Sequence, residues 1–97
     1  MSVQTVRGGV MRIRRETVDS TGRQYNFPFT TNWVQVRNEG DTNAVRIFAT
    51  QEDFDADANF IQVDADMMWE GPQETKGVLL KSPSGTDVVI VGFQRRA

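Results

Sequence analysis

The densest run of groups able to do chemistry is Asp53-Phe54-Asp55-Ala56-Asp57-Ala58-Asn59, with Asp64 at the twelfth position counted from Asp53. Alternating carboxylates suit a hard cation such as calcium, which gathers several oxygens from one folded loop. Asp53, Asp55, Asp57 and Asp64 are therefore the candidate metal ligands. Three features count against them. Ala58 stands where helix–loop–helix calcium loops need glycine for a sharp turn. The flanking segments read as strands, and Asp64 has a shorter arm than the glutamate that usually closes such loops. A solvated acidic loop explains the run equally simply, and no resident metal or other cofactor is expected.

The wider acidic set, Glu52, Asp53, Asp55, Asp64, Asp66, Glu70 and Glu74, contains enough carboxylates for the acid–base pair of a glycoside hydrolase. Nothing in the spacing selects two of them. The sequence has no cysteine and no histidine. This removes thiol nucleophiles, thiolate metal sites, disulfides, the usual general base and the commonest metal ligand. A non-enzymatic protein is the expectation.

The opposite charge gathers at Arg12, Arg14 and Arg15, with Arg7 nearby. Such a strand can track a phosphate backbone or pair with an acidic protein surface. The whole chain is acidic, with a net charge of −2, and no second basic, aromatic-rich segment supports nucleic acid. A protein partner is the better reading. The charge is also partitioned. Residues 39–74 hold ten acids and one base, Arg46, whereas residues 1–23 and 75–97 are each net basic. That asymmetry can draw one copy's basic end to another copy's acidic middle, and a homo-oligomer is expected.

Trp33, Phe48, Phe60, Trp69 and Phe93 read as core or interface anchors, because so small a domain needs its aromatics for packing. Met67-Met68-Trp69 is the most adhesive cluster, since methionine and tryptophan are enriched at interfaces. The candidate interface residues are thus Met67, Met68, Trp69, Arg12, Arg14 and Arg15.

The elements that position these residues are short strands. Asn32 to Thr50 reads as a hairpin: Val34 and Val36 alternate with Trp33, Gln35 and Arg37, Val45 and Ile47 alternate with Ala44, Arg46 and Phe48, and Asn38 to Asn43 supplies turn formers. Val10 to Val18 is a strand with Met11 and Ile13 on one face and Arg12 and Arg14 on the other. Arg23 to Phe29 is a short strand that Pro28 confines to an edge or terminates. Residues 51–59 form the acidic loop, with room for one helical turn capped by Thr50 or Asp53. Phe60–Val63, Met67–Glu70 and Gly77–Ser82 are further strands. Val88 to Phe93, VVIVGF, alternates weakly, as a central strand covered on both faces does. Residues 1–9 read as a flexible arm ending in Gly8-Gly9.

Ninety-seven residues make one domain, residues 1–97. A chain of this size buries only about two-thirds of its surface. An apolar fraction of 38% and a mean hydropathy of −0.47 favour a thin two-layer fold. No run reaches the roughly 18 apolar residues of a membrane span, and the first residues lack the apolar core of a signal peptide. Seven to eight short strands with frequent turns give the fold class: an all-β, antiparallel, jelly-roll-like β-sandwich.

Phe27-Pro28-Phe29 leads to Asn32-Trp33-Val34-Gln35-Val36-Arg37-Asn38. Val45-Arg46-Ile47-Phe48, Asp53-Phe54, Asn59-Phe60-Ile61 and Trp69-Glu70-Gly71-Pro72 follow. The chain closes on Gly85-Thr86, Val88-Val89-Ile90-Val91 and Arg95-Arg96. Across roughly residues 25–96 this pattern resembles small β-sandwich virion proteins of tailed bacteriophages, which include capsid decoration (cement) proteins and neck or tail components. The resemblance carries no catalytic signature. It implies a virion structural protein assembled in the host bacterial cytoplasm and bound to the major capsid protein, to other virion proteins or to further copies of itself. Decoration of the head is the leading expectation. A neck or tail component and a carbohydrate-binding module using Trp33 or Trp69 are the alternatives.

Overall fold

Nine strands and one short helix follow one another in the computed structural model, which describes residues 3–6 and 9–95. They are β1 (Val3–Val6), β2 (Gly9–Val18), β3 (Arg23–Asn26), β4 (Trp33–Asn38), β5 (Val45–Phe48), α1 (Gln51–Ala56), β6 (Ile61–Val63), β7 (Met68–Pro72), β8 (Gly77–Lys81) and β9 (Thr86–Arg95). One sheet has the order β1-β2-β9-β4-β7 and the other β3-β8-β5-β6, with every pairing antiparallel. Leaving out the edge strand β1, the orders β2-β9-β4-β7 and β3-β8-β5-β6 are those of an eight-stranded jelly roll. The chain is an all-β sandwich of that type.

Period-two alternation decides which side chains meet between the sheets. Val34 and Val36 of β4, Val45 of β5, Leu80 of β8, and Val88 and Ile90 of β9 are all buried there. The apolar run VVIVGF lies at the centre of the five-stranded sheet. Val88 and Ile90 point inward, while Val89 points outward and is nonetheless buried. Its register partners on either side are Arg15 and Arg37, whose long aliphatic stems can cover it. Gly92, on the inner face of the same strand, makes room for Phe27. A Cβ there would lie 2.3 Å from the Phe27 ring.

Two expectations are corrected. Asn32 to Thr50 is not a hairpin: β4 and β5 belong to different sheets, and residues 39–44 carry the chain across the sandwich. The physical reason lies in Asn38, which is buried at the end of β4. Its side-chain amide donates to the Asn43 carbonyl at 2.8 Å and the Val63 carbonyl at 3.1 Å. Its oxygen accepts from Thr86 Oγ1 at 2.7 Å and from the Gly40 N–H at 3.0 Å. Those bonds fasten a corner between sheets instead of closing a turn within one. Alternation reports which face a residue occupies and is silent on which strand lies beside it.

The flexible arm expected over residues 1–9 is a strand over Val3–Val6, paired with β2 in the register Val3↔Arg12 to Val6↔Gly9. β2 otherwise offers an unpaired row of backbone groups, and Val-Gln-Thr-Val has the β-branched character to occupy it. Met1, Ser2, Arg7 and Gly8 of that arm lie outside the described residues.

Candidate interaction surfaces

The outer face of the four-stranded sheet is covered by the chain's own helix. Phe48 and Leu79 point outward, and Phe54 of α1 and Phe60 close over Phe48 with ring centroids 5.6 Å away in each case. The Lys81 ammonium lies 4.5 Å from the Phe54 ring centroid and donates to the Phe54 carbonyl. Arg46 lies over Phe60 at 4.4 Å. The helix forms here because Thr50 caps it, its Oγ1 accepting from the Asp53 N–H at 3.1 Å, with Glu52 and Asp53 in the first turn. It ends at Asp57, in the left-handed conformation, whose carboxylate holds Arg46 at 2.6 Å.

This arrangement disperses the candidate metal ligands. Asp53 accepts from Asn59, Asp55 from Gln51, Asp57 from Arg46 and Asp64 from Gln62. A helix turns each residue about 100° from the last, so Asp53 and Asp55, two apart, point to nearly opposite sides of α1, whereas a cation loop must fold its carboxylates onto one centre. Among the described residues no three acidic side chains converge on a common point. The acids considered as a hydrolytic pair are likewise spread over α1, the turn after β6, β7 and the loop after it.

The outer face of the five-stranded sheet has no such cover from the described residues. Met11, Phe93, Trp33 and Pro72 lie in one row across β2, β9, β4 and β7. Ile13 and Val91 stand in the next row. Trp33, Ile13 and Pro72 are exposed, and Met11, Val91 and Phe93 are half-buried. Asn32 and Arg95 border the Trp33–Phe93–Pro72 end of the row. Toward the other end the same face turns polar: Glu39 receives Arg15 at 2.8 Å and Arg37 at 3.7 Å. Sequence reasoning named Trp33 and Phe93 singly and placed Met11 with Ile13. The row they form required the register.

The third surface is the sandwich edge formed by β6 and β7. Ile61 is 46% exposed, Met67 60% and Met68 49%. The connecting segment of residues 61–74 carries Asp64, Asp66, Glu70 and Glu74 and no base, and all four acids are exposed. The Met67-Met68-Trp69 cluster is divided by the pleat. Met67 occupies the turn, Met68 faces outward beside Arg37, and Trp69 faces inward and packs on the core. Trp69 lines a cleft of about 400 Å³ with Val34, Ile47 and Ile61, so it is a half-buried wall of that cleft and not a surface anchor.

The three arginines are divided by the same pleat. Arg12 and Arg14 face inward at the margin of the sandwich and Arg15 faces outward. Arg14 pairs with Glu16 at 2.7 Å and lies 5.6 Å from the Tyr25 ring centroid. Arg12 Nε and Tyr25 Oη are buried without hydrogen-bond partners. These three side chains therefore do not form one basic face.

No protein-family model matches the chain, and no curated protein matches it. Among solved structures it is similar to protein NMB1881 from Neisseria meningitidis, with a TM-score of 0.53 and 8% sequence identity over 96% of this chain and 82% of that one. At that identity the likeness supports the fold alone. Among the described residues no helix is long and apolar enough to cross a membrane.

Proposed function

We propose that this protein is a non-enzymatic virion structural protein of a tailed bacteriophage that decorates the capsid and reinforces it through protein–protein contacts. The observation that carries the reading is the apolar row Met11–Phe93–Trp33–Pro72, on a sheet face that no other described segment covers. Its counterpart on the other sheet is covered by α1. A row of half-buried and exposed apolar side chains bordered by charge is the composition of a docking surface. The jelly roll itself recurs in viral capsid and lectin domains, which agrees with the sequence resemblance without selecting one use. In this reading the apolar row meets the major capsid protein, and many modest contacts repeated over the lattice supply the hold. Assembly takes place in the host bacterial cytoplasm.

Sedimentation with empty phage heads tests the proposal. Co-sedimentation at a fixed stoichiometry, abolished by Trp33→Ser, is the expected result. A discrete ring that ignores heads moves the role to the neck or tail. A second reading, glycan binding, is favoured by the exposed Trp33 ring flanked by Asn32 and Arg95. It predicts a sugar-dependent change in tryptophan fluorescence, which a decoration protein does not show.

A further inference from the structure

We infer that copies of this chain associate head to tail, the free edge of β6 in one copy pairing with the free edge of β3 in the next. The inference stands apart from the capsid reading, because it names a second copy as the partner and needs no shell.

Three observations carry it. The first is charge. At the margin formed by β2 and β3 stand Arg12, Arg14 and Arg23 against Glu16, while residues 61–74 at the opposite edge carry four acids and no base. Among the described residues Arg23 pairs with no carboxylate, and Asp64 pairs with no cation. One molecule thus presents complementary charge on its two lateral edges, the arrangement of a heterologous interface. The second is exposure. Among the described residues, three of the five large apolar side chains most open to solvent, Ile61, Met67 and Met68, sit on the acidic edge. The third is strand direction. β3, β8, β5 and β6 are joined by three antiparallel pairings, so β3 and β6 run in opposite directions. A copy set alongside by translation therefore offers its β3 antiparallel to β6.

The pleat then selects a register. Tyr25 faces inward opposite Val78, and Ile61 faces inward opposite Ile47. Keeping both inner faces continuous places Tyr25 of one copy beside Ile61 of the next, Gln24 beside Gln62, and Arg23 beside Val63, next to Asp64. Ile61 gains an aromatic cover, and the basic β3 margin comes alongside the acidic residues 61–74, with Arg23 on the inner face and Asp64 beside Gln62 on the outer one. Both strands are short, so one contact is weak, and avidity comes from repetition.

Sedimentation velocity of the purified protein alone tests this. Wild type associates at low ionic strength and dissociates as salt shortens the screening length, from about 30 Å at 0.01 M to about 10 Å at 0.1 M. Arg23→Asp and Asp64→Arg are each monomeric with unchanged circular dichroism. Mixed together they associate again, because each supplies the charge the other lacks. Association of either single variant at the wild-type level, or a monomeric wild type at low salt, overturns the inference. A second measurement fixes the register. The chain has no cysteine, so Gln24→Cys combined with Gln62→Cys gives a ladder of disulfide-linked oligomers on oxidation. Within one chain those positions are separated by two intervening strands, roughly 14 Å, too far for a disulfide. Absence of the ladder overturns the pairing. The wild-type measurements need no heads, so failure here leaves shell binding standing, and the reverse holds as well.

Discussion

The two outer faces of this sandwich have similar raw materials and opposite fates. Both carry large apolar side chains on alternating strand positions: Phe48 and Leu79 on one sheet, Met11, Trp33 and Phe93 on the other. On the four-stranded sheet, residues 51–60 fold back as helix and loop, and Phe54 and Phe60 complete a second small core. On the five-stranded sheet no described segment does this. A buried outer face contributes to the stability of the chain, and a bare one contributes to association, because apolar area is stabilising only when something removes it from water. Under the proposed docking role, the difference separates residues whose loss is felt in folding from residues whose loss is felt in binding.

Four substitutions sharpen or break that contrast. Phe48→Ala removes the buried ring at the centre of the covered face and is expected to lower unfolding free energy by about 3–5 kcal/mol in urea denaturation. A loss below about 1 kcal/mol there means the helix side is not a second core. Gly22→Ala tests the same cover from beneath. Gly22 has φ +96°, and an added Cβ would sit 2.5 Å from the Phe54 ring, so a loss of about 1–3 kcal/mol is expected by thermal unfolding. Thr50→Ala removes the helix cap and should cost about 1 kcal/mol in the same assay. Trp33→Ser, on the bare face, should leave stability within about 0.5 kcal/mol of wild type while abolishing sedimentation with heads. A large loss of stability in that last variant would show that the row is core and erase the contrast.

The charged candidates show where reading the sequence stops. Arg12, Arg14 and Arg15 are consecutive enough to look like one basic strand, yet strand geometry sends Arg15 to the opposite face from the other two. Arg14 is further matched by Glu16, two residues along on the same face. The acidic run Asp53 to Asn59 looks like a cation loop when written out, and Thr50 converts most of it to helix. The cap was visible in the sequence. Its consequence for the carboxylates follows only once the helix is drawn: Asp53 and Asp55 lie on α1, Asp57 caps its end and Asp64 stands beyond β6, so the four share no centre.

Several features were settled by the sequence alone. Absence of cysteine and histidine removes whole classes of chemistry whatever the fold. The β-branched alternation of Val34, Val36, Val45 and Ile47 dictates strands with one buried face, and the continuous run from Val88 to Val91 dictates a central strand. These are local properties, fixed by residue type and a period of two. Tertiary structure decided the partners. It placed β4 and β5 in different sheets through the bonds of Asn38, brought Val3–Val6 onto β2, turned Trp69 inward, and aligned Met11, Phe93, Trp33 and Pro72 from four distant segments into one row. Pairing depends on which backbone edges and side-chain surfaces meet across long loops, and alternation within one strand carries no record of its neighbour.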